Sequence, residues 1–398
     1  MASRACNSRR PATPAAPSQA DAALDTPPLP VVEPDAAALD VGATQIQAAL
    51  PPGRAPEPVR TFRTFTADLK QLADWLAAHG IRTVAIESTG VYWIPVFQIL
   101  EQRGFEVCLV NARHVKHPRG RKTDVSDCQW LQQLHAAGLL QPSFRPPDQV
   151  CALRAILRYR ETLVTQATLQ IQHMQKALSQ MNLQLHHVLS DLVGVSGLRI
   201  IDALLAGERD PVALAELRDR SVKASQETVE AALQGDWRPE HLFVLRLARE
   251  NYTYFHQQLQ ACDREVERLL AALPSTADPD EVPPPSGRQK PPRKNQLRFR
   301  NADLRTELFR ILGTDLTQVP GLGPATVANL LAEVGPDLSA FPTCGRWCSW
   351  QGLCPDPWKT GGRKIRDKTR GVHHRVGQLF KEAAQSLHRS QTPLGQFY

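Results

Sequence analysis

The chain has 398 residues, enough for two or three domains, and 42% of them are hydrophobic, enough for real cores. The formal net charge is +7, a modest excess, so where the charge sits says more than the total. No apolar run approaches the ~18 residues of a membrane span, the N-terminus lacks the apolar core of a signal peptide, and eight scattered cysteines do not resemble a secreted disulfide framework, which together point to a reducing cytoplasm and no membrane.

Residues 1–35 are dominated by proline and alanine and read as a disordered tail. From Ala38 to Leu50, small and apolar residues at alternate positions predict a strand or tight hairpin with Asp40 inside it. Val59 to Phe65 reads as another strand. Thr66 can cap a helix to about His79 that shows Leu69, Leu72, Trp75 and Leu76 on one face, and Gly80 ends it. Thr83 to Glu87 is a short buried strand ending in a carboxylate. Val91 to Arg103 reads as a helix with Pro95 tolerated in its first turn, and Phe105 to Val110 as the next strand.

The stretch Gly120-Arg-Lys-Thr-Asp-Val-Ser-Asp127 follows. A helix starting at Thr123 and running to about Ala137 puts Asp124 and Asp127 on one face of its first turn. Two carboxylates that close repel unless a divalent cation such as Mg²⁺ sits between them, and the cations Arg119, Arg121 and Lys122 beside them suit a phosphodiester. The plain structural alternative is a helix N-terminus whose dipole favours aspartate. The element order, three strands, helix, strand, helix, strand, helix, is that of an α/β RNase H-like fold. Asp40 on the first strand, Glu87 at the end of the fourth and the aspartate pair on the last helix occupy the places that converge in that fold. An aspartate in an apolar strand is costly unless paired or coordinated.

Val150, Leu153, Leu157, Arg160, Val164, Ala167, Ile171, Met174, Leu178 and Met181 follow a heptad rhythm broken only by Arg160. A second seam runs through Leu245, Ala248, Tyr252, Phe255, Leu259, Cys262, Val266, Leu269 and Leu273. The two predict an α-helical coiled-coil middle, packed antiparallel within the chain or zipped between chains. Residues 274–298 are rich in proline and charge and read as a linker whose cations, Arg288, Lys290, Arg293, Lys294 and Arg298, with Arg300 just beyond, could track a nucleic-acid backbone or simply be solvated. Val319-Pro-Gly-Leu-Gly-Pro-Ala-Thr326 before an apolar helix resembles a helix-hairpin-helix DNA-binding element, with Gly321 and Gly323 turning amides toward a phosphate; a plain glycine turn is the alternative. Cys344, Cys348 and Cys354, with His373 and His374, match no common zinc spacing and read better as buried thiols. Near the end, Thr360 offers a hydroxyl beside Gly361 and Gly362, among Lys359, Arg363, Lys364, Arg366, Lys368 and Arg370, a set suited to holding phosphates. Val376 to Leu387 reads as a final helix in a mainly α C-terminal domain.

These residues together resemble the insertion sequence 110 transposases, also called DEDD transposases or bridge-RNA-guided recombinases. The resemblance covers about residues 38–398 and rests on Glu87-Ser-Thr-Gly-Val-Tyr-Trp93, Val110-Asn-Ala-Arg-His-Val-Lys116, Gly120 to Asp127, Asp236-Trp-Arg-Pro-Glu-His-Leu242 and Val319 to Gly335. It implies a RuvC-type RNase H-like DEDD domain over 36–145, a helical coiled-coil region over 146–273, the linker over 274–298 and a transposase domain over 299–398. It implies that Asp40, Glu87, Asp124 and Asp127 bind Mg²⁺ (or Mn²⁺), and that Arg121, Lys122, Gly321, Gly323 and the residues flanking Thr360 contact nucleic acid. In the family a serine of the C-terminal domain attacks the DNA phosphate and holds it covalently while strands are exchanged; the matching position here is Thr360. Threonine keeps the hydroxyl, but its β-branch restricts rotamers and crowds the attack path. Family members often continue with another basic helical segment beyond the equivalent of Tyr398. The implied partners are donor and target DNA, a non-coding bridge RNA, and further copies of the chain as homodimer or homotetramer, acting at the nucleoid in the cytoplasm. Two other readings fit the residues: an RNase H-fold, junction resolvase-like nuclease that uses water, and a degenerate transposase that only binds nucleic acid.

Overall fold

The computed structural model describes residues 29–88, 90–111, 124–285, 294–369, 374–388 and 390–397. The chain divides into two compact units, residues 1–144 and 145–398.

In the first unit β1 (Ala36–Val41), β2 (Gln45–Ala49), β3 (Val59–Arg63), β4 (Thr83–Ser88) and β5 (Glu106–Val110) form one mixed sheet in the order β3-β2-β1-β4-β5. β1, β2 and β3 pair antiparallel, whereas β1–β4 and β4–β5 are parallel. The period of two sorts the side chains onto two faces. Ala37, Leu39, Val41, Val84 and Ile86 form one face with α1 (Thr66–Ala78) and α2 (Trp93–Gln102), which supply Leu69, Leu72, Leu76, Val96, Phe97 and Leu100. The other face carries Ala38, Ala49, Ala85 and Val110 against Cys128 and Leu131 of α3 (Asp124–Ala136). Its small alanines leave room for α3 to approach the strands closely. Thr66 is the first residue of α1 rather than its cap; Phe65 holds the cap position with no side-chain hydrogen bond, so the expected capping is absent. The amides of Val32 and Glu33 donate to Ala136 O at 2.8 and 2.9 Å, so the part of the expected tail that the structure describes is tied to the end of α3.

The second unit is built on two 33-residue helices, α4 (Asp148–Gln180) and the later α9 (Pro239–Ala271). They run antiparallel: Leu153 and Leu157 share a core with Val266 and Leu270, while Met174 and Leu178 share one with Leu245 and Ala248. Between them α5 (Leu185–Val188), α6 (Val195–Ala206), α7 (Pro211–Glu216) and α8 (Gln226–Ala232) close over the end of the pair that holds Met174. α10 (Leu304–Leu312) and α11 (Pro324–Val334) cover the opposite end. The buried stripes are wider than the heptad reading. Leu163 and Gln170 are buried where Val164 and Ile171 were expected, and Asp263 and Leu270 where Cys262 and Leu269 were. Helices packed by neighbours on more than one side bury flanking positions as well as the narrow two-helix seam.

That widening explains the break at Arg160. Its guanidinium pairs with Asp263 in the interior, donates to Asn295 O at 3.1 Å, and the other Asp263 oxygen accepts from Arg298 N at 3.2 Å. One buried ion pair therefore fastens residues 295–298 to both long helices. Breaking such a pair strands a charge. Arg160→Met is expected to cost about 3 kcal/mol, and Arg160→Met with Asp263→Leu markedly less. Equal losses for single and double variants in chemical denaturation would show that the pair contributes only its packing.

The described part of the expected linker is also docked: Thr276 Oγ1 donates to Ile311 O at 2.9 Å and Gln318 Nε2 to Pro284 O at 2.9 Å. Beyond α12 (Cys344–Trp350) the chain forms an antiparallel hairpin of β6 (Pro355–Thr360) and β7 (Arg363–Thr369), then α13 (Arg375–Ser386) and α14 (Pro393–Phe397). The hairpin is an addition to the mainly α C-terminal domain expected from the sequence. Cys344 is exposed, which corrects the expectation of buried thiols there.

Candidate functional site

The register of β1 on β4 sets Asp40 directly beside Glu87. Asp40 follows Ala38 by two residues and Glu87 follows Ala85 by two, so both carboxylates belong to the α3 face of the sheet. Both are half-buried. α3 is held over this face by its own side chains. Cys128 Sγ donates to Gln47 O at 3.2 Å, Gln132 Nε2 donates to Ala36 O at 2.9 Å, and His135 Nε2 bonds Thr83 Oγ1 at 3.0 Å. Burial pushes the Cys128 thiol up to about 12, and the charges of Asp40 and Glu87 push in the same direction. The thiol is thus an inert wedge between α3 and the strands, and it senses both carboxylates.

Asp124 is the first residue of α3 and Asp127 is half-buried, next to Cys128 and one turn before Leu131. The helix therefore starts over the end of the sheet where Asp40 and Glu87 lie. Among the described residues no three carboxylate, histidine or cysteine groups already converge as a metal cage. The donor set itself is apt: carboxylates side by side on neighbouring strands offer hard oxygens and concentrate negative charge, which suits Mg²⁺ or Mn²⁺. Arg121 and Lys122 lie outside the described residues, as does Arg370. The three side chains that fasten α3, Cys128, Gln132 and His135, were not singled out from the sequence; their period of three and four down the helix was the available signal.

In the second unit Thr360 is the last residue of β6 and pairs with Arg363 across a two-residue turn. Gly361 and Gly362 have φ of +54° and +76°, the pair of positive angles that a tight hairpin turn of the primed type demands and that only glycine adopts freely. Thr360 is exposed at this tip, so its hydroxyl stands clear of the body of the unit. In the ladder Lys359 pairs with Lys364, Trp358 with Arg366 and Asp356 with Lys368, so these cations ride on the same ribbon.

Gly321 has φ +89°, and a Cβ there would meet Ala383 O of α13 at 2.8 Å. Close packing between protein segments accounts for this glycine without a phosphate. Gly323 is the N-cap of α11 in an extended conformation, with open space around it. A different basic surface is present along α9. Arg264, Lys294 and Arg300 border a groove of about 440 Å³, with His256 Nε2 and Asn295 Oδ1 buried without hydrogen-bond partners among the described residues. Burial and the charge of Lys294 push His256 below the usual histidine range, favouring its neutral form. No helix among the described residues is long and apolar enough to cross a membrane.

Residues 37–183 match a transposase family model, that of the DEDD transposases of the IS110 group. Residues 313–398 match a second model, described as the transposase IS116/IS110/IS902 family. No curated protein matches the chain.

Proposed function

Because the chain belongs to the IS110 family of DNA transposases, we propose that it cuts and rejoins DNA strands with Mg²⁺ held by Asp40, Glu87, Asp124 and Asp127 and with Thr360 as the attacking group. The observation that carries this reading is the register that sets Asp40 beside Glu87 under the start of α3. The strand order, with three antiparallel strands followed by two parallel ones, supports an RNase H-like, RuvC-type assignment of the first unit. The antiparallel α4–α9 pair supports the coiled-coil assignment of the middle.

A divalent cation bound by these carboxylates would neutralise charge on the scissile phosphate. The chain's own residues do the rest. The exposed Thr360 hydroxyl gives up its proton as its Oγ1 bonds to phosphorus and one bridging P–O bond of the strand breaks, and the departing deoxyribose oxygen takes up a proton in exchange. The strand then remains held as a phosphothreonine ester that a second hydroxyl can displace, which permits exchange instead of hydrolysis. Cations of the hairpin, among them Lys359, Arg363, Lys364, Arg366 and Lys368, with Arg370 next in sequence, and of the groove at Arg264, Lys294 and Arg300 hold the backbone without reading its sequence. Sequence choice belongs on this reading to a non-coding bridge RNA paired to donor and target DNA. The protein works at the nucleoid as a homodimer or homotetramer.

The test mixes the purified chain with a candidate non-coding RNA taken from the DNA flanking its reading frame, paired donor and target duplexes, and Mg²⁺. Recombined strands and protein-linked DNA are expected, both lost with a chelator and both lost when the RNA is omitted. Cutting that continues unchanged in chelator sinks the metal assignment, and exchange without the RNA removes the guide.

A further inference from the structure

The sheet register carries the polar row beyond Asp40 and Glu87. Asp40 pairs with Gln47 of β2, and Gln47 pairs with Thr61 of β3, so Glu87, Asp40, Gln47 and Thr61 cross four adjacent strands in line. Gln47 and Thr61 stand two residues from Ala49 and Val59, which belong to the core beneath α3, so the whole row shares the α3 face. Cross-strand neighbours on one face keep their Cβ atoms about 4.5–5.5 Å apart. Gln47 also lies near the first turns of α3, because its carbonyl oxygen accepts from the thiol of Cys128, the residue after Asp127. The row is open at its far end: Gln47 is half-buried, but Thr61, on the edge strand, is exposed.

The Gln47 carboxamide is oriented. Thr61 Oγ1 donates to Gln47 Oε1 at 2.8 Å. With Oε1 held on the β3 side, the planar group turns Nε2 toward β1, where Asp40 is the neighbour. Charge favours the same orientation, because a carboxylate attracts an N–H and repels a carbonyl oxygen. The residue type fits the place. Carboxylates alone repel a phosphodiester, and a lysine here would pair with Asp40 and compete with a divalent cation for it. A carboxamide offers an N–H to a phosphate oxygen and leaves the carboxylate charge intact.

We propose that Gln47, oriented by Thr61, contacts the substrate: its Nε2 donates to a non-bridging oxygen of the phosphodiester engaged at Asp40 and Glu87. The inference rests on the ion-binding role given to those carboxylates above. It adds a contact to the phosphate itself and makes Thr61 a positioning residue.

The test measures binding of the full chain to short duplex DNA with and without Ca²⁺, which stands in for Mg²⁺ so that binding is read without cutting. Gln47→Leu is expected to lower the affinity gained from Ca²⁺ about tenfold and to leave the affinity without the ion unchanged. The rise in melting temperature that Mg²⁺ gives the protein alone persists, because the carboxylates remain. Gln47→Glu splits the two readouts further. A carboxylate beside Asp40 adds an ion ligand and removes the donor, so the rise with Mg²⁺ grows while the DNA gain falls. Thr61→Val, at an exposed position, lowers the gain about threefold, and Thr61→Ser restores it. Added to Gln47→Leu, Thr61→Val has no further effect, because the hydroxyl acts through the carboxamide. An undiminished DNA gain in folded Gln47→Leu overturns the inference. So does loss of the Mg²⁺ response in that variant, which makes Gln47 a prop for Asp40 instead. A wild type that gains no affinity from Ca²⁺ overturns it together with the ion-binding reading beneath it.

Discussion

Asp40→Asn is expected to lower Mg²⁺-dependent strand cleavage about a thousandfold or more while the protein stays folded. The size follows from the role: a carboxylate that holds the charge-neutralising ion supplies several kcal/mol of transition-state stabilisation, and ~4 kcal/mol is a factor of about a thousand. The fold does not depend on this carboxylate in the same degree. β1 is paired on both sides by backbone ladders, and its apolar side chains are packed on both faces of the sheet. The amide is nearly isosteric, so the loss of stability stays within about 1 kcal/mol. A second readout separates a ligand from a merely structural residue. An ion that binds the native state raises the wild-type melting temperature, and that rise should vanish in Asp40→Asn and in Glu87→Gln alike. Their strand register makes them neighbours, so the two effects on ion binding should also be far from additive. Wild-type cleavage by Asp40→Asn, or an undiminished shift with Mg²⁺, removes Asp40 from the site.

The two kinds of residue differed in how far the chain itself disclosed them. Asp40 stood out because a charge in the run Ala36–Val41 needs a reason, and the period of two along β1 and β4 then fixes which face it shares with Glu87. What seats α3 on that face was hidden, because Cys128, Gln132 and His135 make their contacts with strands that lie far off in sequence. Arg160 was visible as a fault in an apolar rhythm. Its partner was not, since Asp263 lies 103 residues away, one position off the narrow heptad seam. The hairpin at Thr360 escaped for another reason. Its strands carry few apolar residues to alternate, with Trp358 and Ile365 the main exceptions, and the Gly-Gly pair that makes the turn reads equally well as a phosphate loop. Gly321 shows a different ambiguity: the sequence offers a phosphate turn or a plain glycine turn, and the close approach of a neighbouring helix is a further reason for glycine that the sequence does not display.

Thr360→Ala is expected to abolish protein-linked DNA and strand exchange while leaving noncovalent binding within about twofold, because a hydroxyl at an exposed hairpin tip contributes little to affinity. This variant separates a transposase from a nuclease that uses water: the nuclease would go on cutting with its carboxylates alone. Thr360→Ser sharpens the test. The turn is formed by Gly361 and Gly362, whose positive φ angles do not depend on the side chain before them, so the ribbon survives either change. Serine keeps the oxygen and drops the methyl group that restricts χ1 and crowds an incoming phosphate. If Thr360 Oγ attacks phosphorus, serine should match or exceed threonine, by up to about tenfold if one unfavourable rotamer or contact worth ~1.4 kcal/mol is relieved. A residue that merely positions the hairpin gives a different order, with threonine best because its β-branch favours the strand. Adducts persisting in Thr360→Ala, or Thr360→Ser as inactive as alanine, would take this hydroxyl out of the chemistry and leave the acidic cluster of the first unit to act with water.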